Sequence, residues 1–258
     1  MPRFAANLSM MFTEWAFLDR FKAARDNGFD AVEFLFPYEH PPEAVGKALK
    51  DNGLTQALFN CPPGNWEKGE RGIAVFPERR AEFEASIDKA LVYAEATGVK
   101  RLHVMAGLAK AGDPVAREAY ESAVLFACDK AALKGIDIVI EPINPRSVPG
   151  FFLNNFDTAA EIVRRLARPN LKLQFDIFHR QIVHGDVIKG LEAMMPIIGH
   201  VQTAAVPDRN EPGTGELDDA RVFAALDRLG YTGFVGCEYN PKGKTVDGLG
   251  WFKAMKAA

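Results

Sequence analysis

The sequence predicts an α/β protein, a single (β/α)8 barrel that takes up residues 1–258 as one domain. Three observations carry that expectation. Eight short β-rich runs alternate with eight segments of helical periodicity. The repeat averages about 30 residues, the size of one βα unit in such barrels. Several helical segments close on a glycine just ahead of the next β-rich run, the signature of a helix C-cap entering a strand. An open doubly wound sheet uses the same alternation. It usually has fewer strands, however, and no glycine-rich phosphate loop follows the first run here.

Taken in order, the β-rich runs are RFAANLSMMF (3–12), AVEFLF (31–36), LTQALFNC (54–61), RLHVMAG (101–107), DIVIEPIN (137–144), LKLQFDIFH (171–179), GHVQTAAV (199–206) and GFVGCEYNP (233–241). Each is rich in β-branched, aromatic and other apolar residues, as strands buried on both faces require. The helical segments are expected at 14–27, 42–52, 78–97, 113–134, 157–167, 186–195, 218–229 and 247–256. The glycines of DNGFDAVEF, DNGLTQALF, ATGVKRLHV, LKGIDIVIE and LGYTGFVGC mark five of the helix-to-strand turns. Asp218 reads as an N-cap. Phe151, Phe152, Phe156, Phe175 and Phe178 read as core.

Composition narrows the function. Hydrophobic residues make up 48% and charged residues 25%, ordinary for a globular protein with a sizeable core. The net charge of −3 offers no basic footprint, so a nucleic-acid partner is not expected. Cys61, Cys128 and Cys237 are far apart and form no CxxC pair, which disfavours a disulfide framework or a thiolate zinc site. Acidic residues come too early at the N-terminus for a signal peptide, and no apolar run spans a membrane. A cytoplasmic protein without membrane contact is expected. The sequence leaves homo-oligomerisation open.

In a barrel the chemistry sits at the carboxyl ends of strands. Those ends in the second half offer Glu141, Asp176, Gln202 and Glu238, spaced by 35, 26 and 36 residues. One oxygen donor thus comes from each of four consecutive strands. A buried carboxylate is costly unless paired, and three gathered together repel unless a cation holds them. An all-oxygen set suits a hard divalent ion, Mg²⁺ or Mn²⁺, better than Zn²⁺. Around this set, His179, Arg209 and His103 are candidate substrate contacts, with Arg209 a candidate anion clamp. Phe12 and Trp15 after the first run, and Asn60 and Trp66 after the third, are candidates for an apolar wall and a polar contact. The loop near residues 62–77 is a candidate cover.

Four motifs in order, IEPIN, QFDIFH, HVQTA followed by PDRNEPGTGELD, and GCEYNPKGKTVDGLGW, resemble the hydroxypyruvate isomerase family within the xylose-isomerase-like TIM barrels. FAANLSMMF and FNCPPGNW extend the resemblance over nearly the whole chain. The resemblance implies carbohydrate-acid metabolism: a metal-dependent isomerase of small hydroxy-oxo acids, converting hydroxypyruvate to tartronate semialdehyde, 2-oxo-tetronate to 3-oxo-tetronate, or both. It implies metal ligation by Glu141, Asp176, Gln202 and Glu238, and acid/base work by the pair Glu141 and Glu238. His179 and Arg209 match the family's substrate contacts, and Lys242 joins them as a candidate for the substrate carboxylate.

Three rivals remain at this level. A ketose 3-epimerase shares the metal, the glutamate pair and the enediolate; Gln202, where related epimerases commonly carry histidine, counts against it. An endonuclease-IV-like DNA repair nuclease needs a histidine-rich multi-zinc cluster, and this chain has five histidines and no basic excess. A barrel that binds a sugar acid without converting it would have little use for an intact carboxylate pair.

Overall fold

A computed structural model describes residues 1–257. Its eight strands close into one parallel barrel in sequence order, β1 to β8 with β8 pairing back onto β1. The strands are β1 (Arg3–Asn7), β2 (Ala31–Phe34), β3 (Thr55–Asn60), β4 (Arg101–His103), β5 (Asp137–Ile140), β6 (Leu171–Asp176), β7 (Ile198–Thr203) and β8 (Phe234–Cys237). The α-helices are α1 (Arg20–Asp26), α2 (Pro42–Asp51), α3 (Arg80–Thr97), α4 (Pro114–Ala132), α5 (Phe156–Leu166), α6 (Ile177–Val183), α7 (Val187–Met194), α8 (Asp219–Arg228) and α9 (Gly250–Ala257). The predicted barrel is therefore the observed one. No helix is long and apolar enough to cross a membrane among the described residues.

Local chemistry sets where the elements stop. Gly98, which ends α3, and Gly135, which follows α4, have φ of +71° and +63°, a conformation that costs other residues energy. Side chains cap several helix starts: Asp113 accepts from the N–H groups of Val115 and Ala116, and Asn155 from those of Asp157 and Thr158. Asp218 accepts from the Arg221 N–H and caps α8, as expected.

The strands are shorter than the β-rich runs, and the reasons are local. β5 stops at Ile140 because Pro142 has no N–H to continue the ladder, so Glu141 stands just past the strand. The run 171–179 splits at Asp176, whose carboxylate accepts from the Phe178 N–H and starts α6. That short helix was not expected, and it carries His179. The segment 14–27 divides into a 3₁₀ turn (Phe17–Asp19) and α1, and 247–256 into a 3₁₀ turn (Thr245–Gly248) and α9.

Two environments separate across the strands, because successive side chains point to opposite faces. The main apolar core lies between sheet and helices and contains Phe151, Phe152, Phe156, Phe175 and Phe178, as predicted. The lumen is different. Ala5, Ala31 and Ala57 form a small separate cluster with Phe234 packed against it. Two residues further along β1 and β2, the same face presents Asn7 and Glu33, whose side chains are hydrogen-bonded at 3.0 Å. The three cysteines are buried and free.

Gly236 on β8 leaves the space that the Glu33 carboxylate fills; a Cβ there would collide with both carboxylate oxygens. Gly236→Ala is expected to cost about 1–3 kcal/mol, the range for overpacking a tight interior. Urea unfolding measures this, and an unchanged midpoint would mean that Glu33 moves aside freely.

Candidate active site at the carboxyl end of the barrel

Glu141, Asp176, Gln202 and Glu238 come from four consecutive strands, and all are buried at 0–6% exposure. Asp176 and Gln202 are register partners across β6 and β7, and Gln202 pairs in turn with Gly236 on β8. Glu141 and Glu238 each follow their strand by one residue. One ligand-capable atom from each of Glu141, Asp176 and His179 lies within 4.8 Å of the others. Glu141 Oε1 and Asp176 Oδ2 are buried without a hydrogen-bond partner.

Burial pushes the Glu141 carboxyl well above the usual range, and the charges of Glu238 and Asp176 push it further. Glu238 is raised by burial against the pull of Arg209, and Asp176 is raised likewise. Orphaned carboxylate oxygens in a dry site that resists ionisation form a donor set fitting a hard divalent cation.

Arg209 is the positive charge present. Its Nη2 lies 3.1 Å from Glu238 Oε2 and 3.5 Å from Asp176 Oδ2, and its Nε donates to the Glu238 carbonyl at 3.2 Å. Burial opposes its charge, but Glu238, Asp176 and Glu141 more than offset this and raise its pKa. The guanidinium lies 5.0 Å from the centre of the Phe178 ring, so one of the core phenylalanines is also a platform for it. The residue adopts φ of +59°, and its backbone is held by the Arg209 N–H to Ala205 and the Asn240 N–H to the Arg209 carbonyl.

His179 projects from the first turn of α6, buried, with Nε2 at 3.5 Å from Asp176 Oδ2 and 3.9 Å from Glu141 Oε1. Burial and then Arg209 depress its pKa well below the usual value. His103, the last residue of β4, has Nδ1 at 3.8 Å from Glu141 Oε2 and 3.3 Å from Asn60 Oδ1. Burial lowers it to about 3, so it is neutral at physiological pH. His179, Arg209, His103 and Asn60 thus gather around the carboxylates.

The other candidates stand apart. Lys242 is exposed and lines a surface cavity of about 400 Å³ with Glu211, Thr214 and Lys244. Past buried Glu238 and Tyr239 the chain turns to the surface at Asn240, which carries Lys242 away from the carboxylates. Trp15 is 41% exposed and packs against buried Phe12. Trp66 lies against Phe36 and under Arg71 in the loop 62–77. Among the described residues no hydrogen bond links either tryptophan to the carboxylates; the Trp15 carbonyl accepts from Arg20 and that of Trp66 from Arg71.

A polar layer beneath the site was missed. Glu33 is fully buried and accepts from three sides: Asn7 Nδ2 at 3.0 Å, Gln202 Nε2 at 2.8 Å, and His200 Nε2 at 2.6 Å. Gln174 Nε2 donates to Gln202 Oε1 at 2.6 Å, leaving that oxygen's second lone pair. Glu33 therefore fixes which end of the Gln202 amide faces which neighbour. The signal was available, since Glu33 interrupts AVEFLF as Asp176 interrupts LQFDIFH.

A family model described as xylose isomerase-like TIM barrel matches residues 21–255. The chain belongs to that family. The 2-oxo-tetronate isomerase of Cupriavidus necator is 52% identical over 98% of this chain and 98% of its own length. The hydroxypyruvate isomerase of Escherichia coli is 39% identical over 97% and 98%. With isomerases matched from end to end at these identities, the chain is an isomerase. The crystal structure of a protein named AP endonuclease, family 2, from Brucella melitensis superposes with a TM-score of 0.96 at 46% identity, covering 98% of this chain and 99% of that one.

Glu33→Gln can keep an acceptor for Asn7 and Gln202 but presents a donor to His200, which can accept only by moving its proton to the buried, unpartnered Nδ1. It is expected to lower stability by about 1–3 kcal/mol, the cost of a buried polar group left unsatisfied. Chemical denaturation measures the loss, and Glu33→Ala should lose at least as much.

Proposed function

We propose that the chain interconverts small hydroxy-oxo acids by aldose–ketose isomerisation: hydroxypyruvate with tartronate semialdehyde, 2-oxo-tetronate with 3-oxo-tetronate, or both. The observation that carries this is the buried carboxylate cluster at the barrel mouth, where burial and the charges of neighbouring carboxylates raise the pKa of both Glu141 and Glu238. The names of the relatives support the substrate class. Glu141, Asp176, Gln202 and Glu238 would hold Mg²⁺ or Mn²⁺, an ion that supplies Lewis-acid polarisation of a carbonyl when bound.

The protein groups divide the remaining work. One glutamate takes the proton from the hydroxyl-bearing carbon, giving an enediolate of the substrate. The other returns a proton to the former carbonyl carbon, while the hydroxyl proton passes to the former carbonyl oxygen. Two carboxylic groups with raised pKa values suit this exchange, because one can act as acid while the other is base. Arg209, already within reach of Glu238 and Asp176, offers its remaining N–H groups to the substrate carboxylate. Neutral His103 and Asn60 line the side next to Glu141. The Glu33 layer closes the site from below.

The Brucella protein bears the name of an endonuclease, and a nuclease is therefore the second reading to weigh. Glu141, Asp176 and His179 are the only group of three potential ligands gathered this closely among the described residues. A site that cleaves DNA through several zinc ions calls for more histidine than that.

Incubation with each acid in D2O, followed by NMR, should give the isomerised product with deuterium on the protonated carbon. Unchanged substrate without exchange for both acids would sink the isomerase proposal for this substrate class. Product epimerised at one carbon without carbonyl transfer would favour the epimerase. Several zinc equivalents per chain, with cleavage of abasic DNA, would favour the nuclease. Glu238→Gln should lower kcat by about 10²–10⁴-fold, the range for loss of a general acid or base. Mg²⁺ or Mn²⁺ at 100 times its Kd should stabilise the fold by about 2.7 kcal/mol, read as a rise in Tm that a chelator reverses.

A further inference from the structure

Asn144 lies three residues beyond Glu141 and is fully buried. Its side-chain Nδ2 sits 2.6 Å from His179 Nδ1, and its backbone N–H points at the same nitrogen from 3.4 Å. Which end of the Asn144 amide faces the histidine is set independently. The Ser147 backbone N–H donates to Asn144 Oδ1 at 2.8 Å, and a backbone N–H can only donate. Asn144 Nδ2 also donates to Ser147 Oγ at 3.0 Å, so the turn 144–147 locks the amide.

Two donors converging on His179 Nδ1 leave no room for a proton there. The ring must carry its single proton on Nε2, the nitrogen nearest the orphaned oxygens of Asp176 and Glu141. We propose that Asn144 is a positioning residue that fixes His179 in the Nε2–H form, so that His179 serves the site as a hydrogen-bond donor and not as a metal ligand. The proximity of Glu141, Asp176 and His179 would otherwise suggest three ligands to one ion. With its lone pair on Nδ1 spent on Asn144, the histidine has none to give on the site side.

The use of that N–H, donation to a substrate oxygen as negative charge builds on it, rests on the isomerase proposal. The tautomer does not, and the experiment reads it directly. In protein labelled with ¹⁵N-histidine, long-range ¹H–¹⁵N correlation separates protonated from unprotonated ring nitrogens, and His179→Gln assigns the signal by its loss. Wild-type His179 should show an unprotonated Nδ1 and a protonated Nε2, unchanged on adding Mg²⁺. A protonated Nδ1, or loss of the Nε2 proton on adding Mg²⁺, would overturn the proposal. Asn144→Asp, which replaces the donor by an acceptor, should bring a proton onto Nδ1. Asn144→Ala should lower kcat by about tenfold or more while KM moves less than about threefold, as expected when only the support of a working group is lost. An unaltered Nδ1 signal in Asn144→Asp, or an unaltered kcat in Asn144→Ala, would remove Asn144 from the role. Should neither acid be turned over, the ring-nitrogen signals still decide the tautomer, and the isomerase proposal fails separately.

Discussion

The interaction on which the rest depends is the repulsion among the buried carboxyl groups of Glu141, Asp176 and Glu238. At 4.8 Å, the outer limit of the Glu141–Asp176 approach, two unit charges repel by about 3 kcal/mol at an effective dielectric constant of 20. Desolvation adds to that for each group. The molecule answers with positive charge and with protons. Arg209 lies against two of the three, and the raised pKa values keep some of the carboxyls neutral. Groups that can neither all ionise nor all stay protonated are poised to exchange protons with a ligand, and this is the property that an isomerase needs.

Closing eight strands puts consecutive strand ends side by side, so acidic residues far apart in sequence must meet. The lumen below them is layered. Small alanines narrow the base, a hydrogen-bonded layer around Glu33 fills the middle, and the carboxylates stand on top. The middle layer joins the two functions of the barrel. Glu33 is at once a filler that Gly236 makes room for and the acceptor that orients Gln202. The large apolar core lies outside the sheet, where the helices pack, and the chemistry inside is buffered from it.

Much of this was legible in the order of residues alone. Strand alternation and glycine-closed helices gave the barrel, because both are local consequences of backbone sterics. Glu141, Asp176 and Glu238 could be found because each interrupts an apolar run, and the energetic cost of that interruption demands a reason; Gln202 stood out by its place in the series of strand ends. His179 and Arg209 were identified correctly as neighbours of the cluster, although the helix that holds His179 went unseen: Asp176 doubles as a strand residue and a helix cap, which periodicity cannot register. Lys242, the other candidate for the substrate carboxylate, lines a surface cavity, because nearness along the chain does not fix the direction a loop takes. Glu33 was legible by the same rule, since it too interrupts an apolar run, whereas His200 and Gln174 acquire meaning only when β2, β6 and β7 are brought around one lumen. Asn144 lay in plain view inside IEPIN, but its role depends on a hydrogen-bond direction that no sequence spells out.

Arg209 also bears on how the protein comes into being. Closing the barrel buries three acidic groups close together. With a guanidinium tethered by its own left-handed turn and resting on Phe178, the counter-charge travels with the polypeptide. The enclosed carboxylates thus have a counter-charge that belongs to the chain itself, whatever ions the medium holds.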